Sequence, residues 1–214
     1  MRIATLSLLT IVCLVLAAPG FAGTLFTSGA TIGTINGYFV DGPNTGPFGQ
    51  WISDGFTDTT TGTATQITIG LWSVGGAPNA VSYNLGSTSF GTLTPGTSVT
   101  SAFLFTNGFG YGIYNTTFNI TPTALTGGTP YYLSIGLANN TGGTQEVAWD
   151  DIENPAVTCY FTNPSGTGGC PTTESEAFTI SGGPVGSTPE PSSIMLFGSG
   201  ILGLAGVLRR KMTR

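Results

Sequence analysis

No histidine occurs anywhere in the 214 residues, and lysine and arginine together number five. Arg2 stands at the start and Arg209, Arg210, Lys211 and Arg214 at the end, so residues 23–188 carry no cationic side chain. Imidazole bases, guanidinium clamps and amine nucleophiles are thereby removed from that span, and with them most routes to acid–base or covalent catalysis. Nucleic-acid binding is excluded on the same ground, because affinity for a phosphate backbone comes from Lys and Arg. What remains is acidic: Asp41, Asp54, Asp58, Glu146, Asp150, Asp151, Glu153, Glu174 and Glu176. The body is expected to be an anion without side-chain ion pairs. Its charge should repel anionic lipid and keep a surface of Thr, Ser, Asn and Gly soluble.

Cysteine is almost as scarce, with Cys13, Cys159 and Cys170 the only three. Met1 and Arg2 precede an apolar run at residues 3–18, and Gly20 and Ala22 put small residues third and first before a cut after Ala22. That is the layout of a secretory signal peptide, residues 1–22, with a helical apolar core. Cleavage removes Cys13 and leaves two cysteines in an exported chain, which are expected to pair. The loop between them holds Asn163, Pro164, Gly166, Gly168 and Gly169 and has little means of ordering itself. A Cys159–Cys170 disulfide would contribute roughly 2–3 kcal/mol by restricting it. Two free thiols or a metal site are the alternatives, and no histidine exists to complete a mixed Cys/His site.

At the other end three signals follow one another. Pro189, Glu190 and Pro191 come first, then residues 194–208 without a charge, then Arg209, Arg210, Lys211 and Arg214. The apolar run lies at the short end of what crosses a bilayer, about 17–25 residues. As a single transmembrane helix it would leave the basic end in the cytoplasm and the body outside. Gly198, Gly200, Gly203 and Gly206 make it thin, fitting either a weak, closely packing helix or a docking face for a processing enzyme. Pro189-Glu190-Pro191, the apolar stretch and Arg209-Arg210-Lys211 together resemble the PEP-CTERM sorting signal of exopolysaccharide-producing Gram-negative bacteria. The resemblance implies an exosortase-type membrane transpeptidase as partner, a transient inner-membrane anchor, and delivery to the cell surface or extracellular matrix. The tail is also similar to a segment described at the end of some ice-binding proteins, an association of anchors that implies nothing about ice.

Between the ends, period-two alternation recurs. Ile67, Ile69 and Leu71 oppose Thr68 and Gly70; Val81, Tyr83 and Leu85 oppose Ser82 and Asn84; Tyr131, Leu133, Ile135 and Leu137 oppose Ser134 and Gly136. Further strands are expected at 31–40, 50–57, 99–106, 111–120, 146–150, 157–161 and 176–180. Turn chemistry such as Asp41-Gly42-Pro43-Asn44, Pro95-Gly96 and Asn107-Gly108 separates them. Helical periodicity is absent outside the two ends. The pattern predicts one all-β domain at residues 23–180, a two-sheet β-sandwich of jelly-roll type, followed by a flexible Gly/Ser/Pro linker at 181–188 and the sorting tail at 189–214. The body itself resembles uncharacterised β-domains linked to the same tail, on Ser53-Asp54-Gly55-Phe56, Ile69-Gly70-Leu71-Trp72, Tyr131-Tyr132-Leu133-Ser134-Ile135, Val147-Ala148-Trp149-Asp150 and Ser175-Glu176-Ala177-Phe178-Thr179-Ile180. That resemblance implies no activity.

Candidate chemistry is confined to carboxylates and aromatic rings. Glu146, Asp150, Asp151 and Glu153 cluster, and a carboxylate pair is what a glycosidase needs. The expectation is that they solvate a strand end and the following loop. A calcium site from Asp150, Asp151, Glu153 and Asn154 is the sharper alternative, although the spacing matches no EF-hand. Trp72 falls opposite Ile67, Ile69 and Leu71, and Trp51, Trp149 and Tyr132 are further candidates for the solvent side, where flat rings suit pyranose faces. Trp72 and Trp149 are the candidate sugar-stacking pair, with packing in the core or at its rim as the competing reading. The sequence therefore predicts a non-enzymatic, cofactor-free surface protein of structural or adhesive role, the alternative being a carbohydrate-binding or carbohydrate-active module acting on exopolysaccharide. For the cysteines, exported native protein should take up no alkylating label at Cys159 or Cys170 until a reductant is added; two labelled thiols would refute the pairing.

Overall fold

The computed structural model describes residues 23–34, 36–41, 50–58, 60–143, 146–153, 158–163, 166–169 and 174–184. The signal peptide, Cys170, Asn154, residues 185–188 and the sorting tail lie outside the described residues. The chain divides into two units, Met1–Pro184 and Val185–Arg214, and every described residue belongs to the first. Among the described residues there is no helix, hence none long and apolar enough to cross a membrane.

Among the described residues fourteen strands run in chain order: β1 (Gly23–Thr27), β2 (Gly37–Phe39), β3 (Trp51–Thr57), β4 (Gly62–Ser73), β5 (Pro78–Gly86), β6 (Thr94–Pro95), β7 (Thr97–Thr106), β8 (Gly112–Leu125), β9 (Pro130–Asn140), β10 (Val147–Glu153), β11 (Thr158–Asn163), β12 (Gly166–Gly169), β13 (Glu174–Glu176) and β14 (Phe178–Pro184). They form two antiparallel sheets. The smaller is ordered β12-β11-β3-β9-β5-β6. In the larger, β7 pairs β8 and β8 pairs the whole length of β4; the other edge of β4 is shared between β14, at Gly62 to Ile69, and β10, at Leu71 to Ser73. β1 extends the sheet beyond β14, while β2 and β13 pair with β10.

One apolar core lies between the sheets. Ile67, Ile69, Leu71, Phe118 and Ile180 of the larger sheet and Ile52, Leu133 and Ile135 of the smaller are wholly buried in it, so the alternation read in the sequence places the inward face correctly. Phe56 and Phe178 meet edge to face across the layers at 5.5 Å, and the Tyr83 hydroxyl accepts from the Thr121 amide at 2.7 Å. The match fails at Leu137. Its φ of +51° marks a bulge opposite β5, the register slips by one, and Ala138 enters the core where Leu137 is expected. The last strand also runs on: Ser181, Gly182, Gly183 and Pro184 pair with β4, so the first four residues of the expected linker are sheet. Residues 31–34 and 36, expected as strand, are irregular; among the described residues of that stretch Gly37–Phe39 pairs.

A three-way junction organises the larger sheet. Where β14 leaves β4, the Gly70 amide donates to the Ala177 carbonyl at 3.0 Å and the Ala177 amide donates to the Asp150 carbonyl at 2.8 Å, so three strands meet with their backbone groups satisfied. Trp149 seals the junction from inside, its indole N–H donating to the same Ala177 carbonyl at 2.9 Å. Glycine is required at position 70 because a Cβ there would lie 2.5 Å from Thr31 Oγ1 and 3.0 Å from Asp150 Cβ. Gly70→Val should therefore cost about 1–3 kcal/mol in chemical denaturation, whereas Gly108→Ala, where a Cβ meets nothing within 4 Å, should change stability by less than ~0.5 kcal/mol.

Candidate functional site

On the outer face of the larger sheet, cross-strand pairing lines up Phe39, Ala148, Trp72, Ile113 and Phe105 in one row across five strands. Asn36, Gly37, Phe39, Trp72, Phe109, Tyr111 and Ala148 line a groove of about 230 Å³ over this row. Its shape comes from the β7–β8 turn. Asn107 Oδ1 accepts from the Phe109 and Tyr111 amides, both at 3.0 Å, and Gly110 takes a φ of +87°, which folds Phe109 back over the sheet. The Phe109 ring then stacks on Trp72 at 5.9 Å and 21°, and Tyr111 packs beside it at 5.8 Å. Trp72 is on the outer face, as its parity implies, yet it retains only 5% exposure because Phe109 and the Gly37 backbone cover it. The exposed ring is Phe109, at 69%.

Trp149 corrects the expectation of a second stacking ring. Val147, Trp149 and Asp151 share the inward parity of β10, and Trp149 is wholly buried against Phe178. The three rings that build the groove with Trp72 were missed because Phe39, Phe109 and Tyr111 belong to no continuous alternation; two sit in or beside turns and the third on a three-residue strand.

Asp150 holds the groove floor. Its carboxylate accepts from the Trp72 indole N–H at 2.5 Å, the Ile32 amide at 2.7 Å and the Gly33 amide at 2.9 Å. Those bonds pin the irregular segment 29–34 across the outer face, assisted by Thr31 Oγ1 donating to Asn115 Oδ1 at 2.6 Å and Asn107 Nδ2 donating to the Gly33 carbonyl at 3.2 Å. Burial raises the Asp150 pKa from its ordinary value while the three donors pull it back. Asp150, Asp151 and Glu153 thus do not share a loop. They lie in β10, whose alternation sends Asp150 to the outer face and Asp151 inward, which parts the first two members of the expected calcium set.

The inward carboxylates form a cluster of their own. Asp54 of β3 accepts at Oδ2 from Ser175 Oγ at 2.6 Å and from the Glu176 amide at 3.0 Å, joining the small sheet to β13. Asp151 pairs in register with Glu176. All three are wholly buried, as are Asp41, Asp58 and Asp150; Glu146 is exposed. The expected anionic surface is therefore corrected: most of the acids whose exposure is described are buried, Asp58 Oδ1 accepting from the Thr60 amide at 2.8 Å, and Asp150 lies covered on the outer face. A row of threonines crosses it, Thr27, Thr179, Thr68, Thr117 and Thr100, with Thr68 and Thr117 hydroxyls 2.9 Å apart. Sequence order gives no hint that Asp54 and Glu176 meet.

Burial pushes the Asp54 carboxyl up to about 6, against the hydrogen bonds from Ser175 and Glu176 that lower it. Glu176 is raised well above the ordinary carboxylate range, first by burial and then by the charges of Asp54 and Asp151. With folded pKa values above the unfolded ones, the stabilisation is fully present below about pH 4 and is lost as pH rises through about 6. For Asp54 alone the change is on the order of 2–3 kcal/mol. The melting temperature should accordingly fall between pH 4 and pH 7, and Glu176→Gln should flatten that slope and raise the melting temperature at pH 7. A wild-type melting temperature that climbs over this range would contradict the assignment.

Residues 187–211 match the PEP-CTERM protein-sorting motif, which spans Pro189, Glu190, Pro191, the apolar stretch and Arg209 to Lys211. No curated protein matches the chain. The motif covers the tail alone, and it marks this chain as an exported, membrane-transiting protein whose processing partner is of the exosortase type.

Proposed function

We propose that the β-domain is a non-enzymatic component of the cell surface or extracellular matrix, structural or adhesive in role, held for a time by residues 194–208 and released when an exosortase removes the tail. The observation that carries this reading is the placement of the acids. Of the carboxylates whose exposure is described, all but Glu146 are buried and committed to the fold, and none lines the groove. A glycosidase needs two carboxyl groups facing one substrate-sized space, and a domain without His, Lys or Arg has few other means of proton transfer.

The exposed Phe109 ring favours a second reading, binding of a neutral polysaccharide in the groove. A flat ring, the exposed Asn36 and the Tyr111 ring offer an apolar face beside hydrogen-bonding groups, without charge. The volume suits about one sugar ring.

Mass spectrometry of the surface fraction should recover body peptides and none from residues 195–209; finding the latter outside the cell would remove the sorting step from the proposal. On a glycan array the first reading expects no binding above background. Binding that Phe109→Ala abolishes would establish the second reading, and hydrolysis of any polysaccharide by the exported protein would overturn the non-enzymatic role.

A further inference from the structure

β7 is the longest outer strand among the described residues. Thr97, Thr100 to Phe103, Phe105 and Thr106 pair with β8 on one side, and among the described residues no strand pairs with the other. The remaining outer strands of both sheets are short: β1 has five residues, β12 four, β2 and β13 three each and β6 two, the last ending in Pro95. Proteins blunt long edges with lysine, proline, inward charges or a covering segment, since a row of unpaired N–H and C=O groups is a template for another strand. Thr97–Thr106 contains no charge and no proline. It is interrupted by two register shifts, one between Thr97 and Thr100, where Ser98 takes a φ of +53°, and one at Leu104, between the pairs Phe103–Tyr114 and Phe105–Ile113; Thr100 to Phe103 between them pair regularly. Three large apolar side chains follow one another in the open, with Phe103 57%, Leu104 40% and Phe105 37% exposed.

We propose that β7 is a self-association edge, pairing antiparallel with β7 of a second copy of this chain so that the two larger sheets join about a twofold axis. The occupant follows from charge. From position 59 to position 145 the chain carries no ionisable acid or base of the Asp, Glu, Lys or Arg type, a span that takes in β4 to β9. The acids outside that span are mostly sealed in the interior. The like-charge repulsion that ordinarily keeps copies of one protein apart is therefore missing at this edge. A strand bearing charges would have to set them beside Phe103 and Phe105, whereas β7 itself brings Val99, Thr100, Ser101, Ala102 and Phe103, all uncharged. An edge of this kind is its own complement: a twofold axis gives both copies the same backbone bonds and covers the same rings. Export by the sorting tail concentrates the chain at one surface, which favours association of modest intrinsic strength.

The test uses the full chain purified in mild detergent and the processed protein from the surface fraction, each followed by sedimentation velocity across a hundredfold concentration range. Dimers that grow with concentration are expected in both. Phe103→Lys should weaken association at least tenfold, and Thr100→Lys, which places a charge on the same strand at an exposed threonine, should do likewise if the first variant folds poorly. Phe109→Lys, on the groove and off this strand, should leave association within twofold of wild type. A wild-type chain that stays monomeric throughout, or dimers indifferent to both β7 lysines, would overturn the proposal while leaving the exported, non-enzymatic reading as it stands.

Discussion

The backbone of this domain converges on Asp150, and the arrangement of the outer face depends on that one residue. Its carbonyl accepts from Ala177, where β14 hands over to β13, and its carboxylate accepts from Trp72 and from the amides of Ile32 and Gly33. A carboxylate in a chain without cations can be buried only if N–H donors replace the water it loses. Asp150 finds three. In satisfying them it sets the Trp72 ring in the floor of the aromatic groove and draws Ile32 and Gly33 across the sheet.

The same constraint, acids without bases, recurs inside. Asp54, Asp151 and Glu176 lie where opposite charges would ordinarily be supplied, and none is available from residues 23–188. In place of an ion pair the cluster has raised pKa values: burial shifts Asp54 and Glu176 upward and so favours their neutral forms. The result is a domain tied between its layers by groups that prefer mild acid. Spending the acids inside leaves a surface of hydroxyls, amides and a few aromatic rings. The apolar groove and the β7 edge stand out against the threonine row.

Five short stretches, 53–56, 69–72, 131–135, 147–150 and 175–180, are dispersed in sequence and adjacent in space. Asp54 meets Ser175 and Glu176, Phe56 meets Phe178 and Tyr131, Trp72 meets Asp150, and Gly70 meets Ala177. They form the junction and the acid cluster, which is to say the internal supports of the sandwich-like fold. The groove draws on only parts of them, with Phe109 and Tyr111 coming from a turn outside all five.

Alternation of Ile67, Ile69 and Leu71, or of Leu133 and Ile135, was sufficient to establish strands and their inward face, since side-chain direction in a strand is a local property of period two. Composition likewise excluded cation-dependent chemistry, and the tail declared its sorting motif as a linear signal read by another protein. Strand order, by contrast, was decided by pairings such as β4 with β14 and β3 with β11, which join residues about a hundred positions apart and leave no periodic trace. The sequence could say that Trp72 left the core face, but only the returning Phe109 turn decided that it would be covered. It could count the acids, yet whether Asp54, Asp151 and Glu176 faced water or one another depended on which sheets met, because burial is a property of the assembled layers and not of the strand that carries the residue.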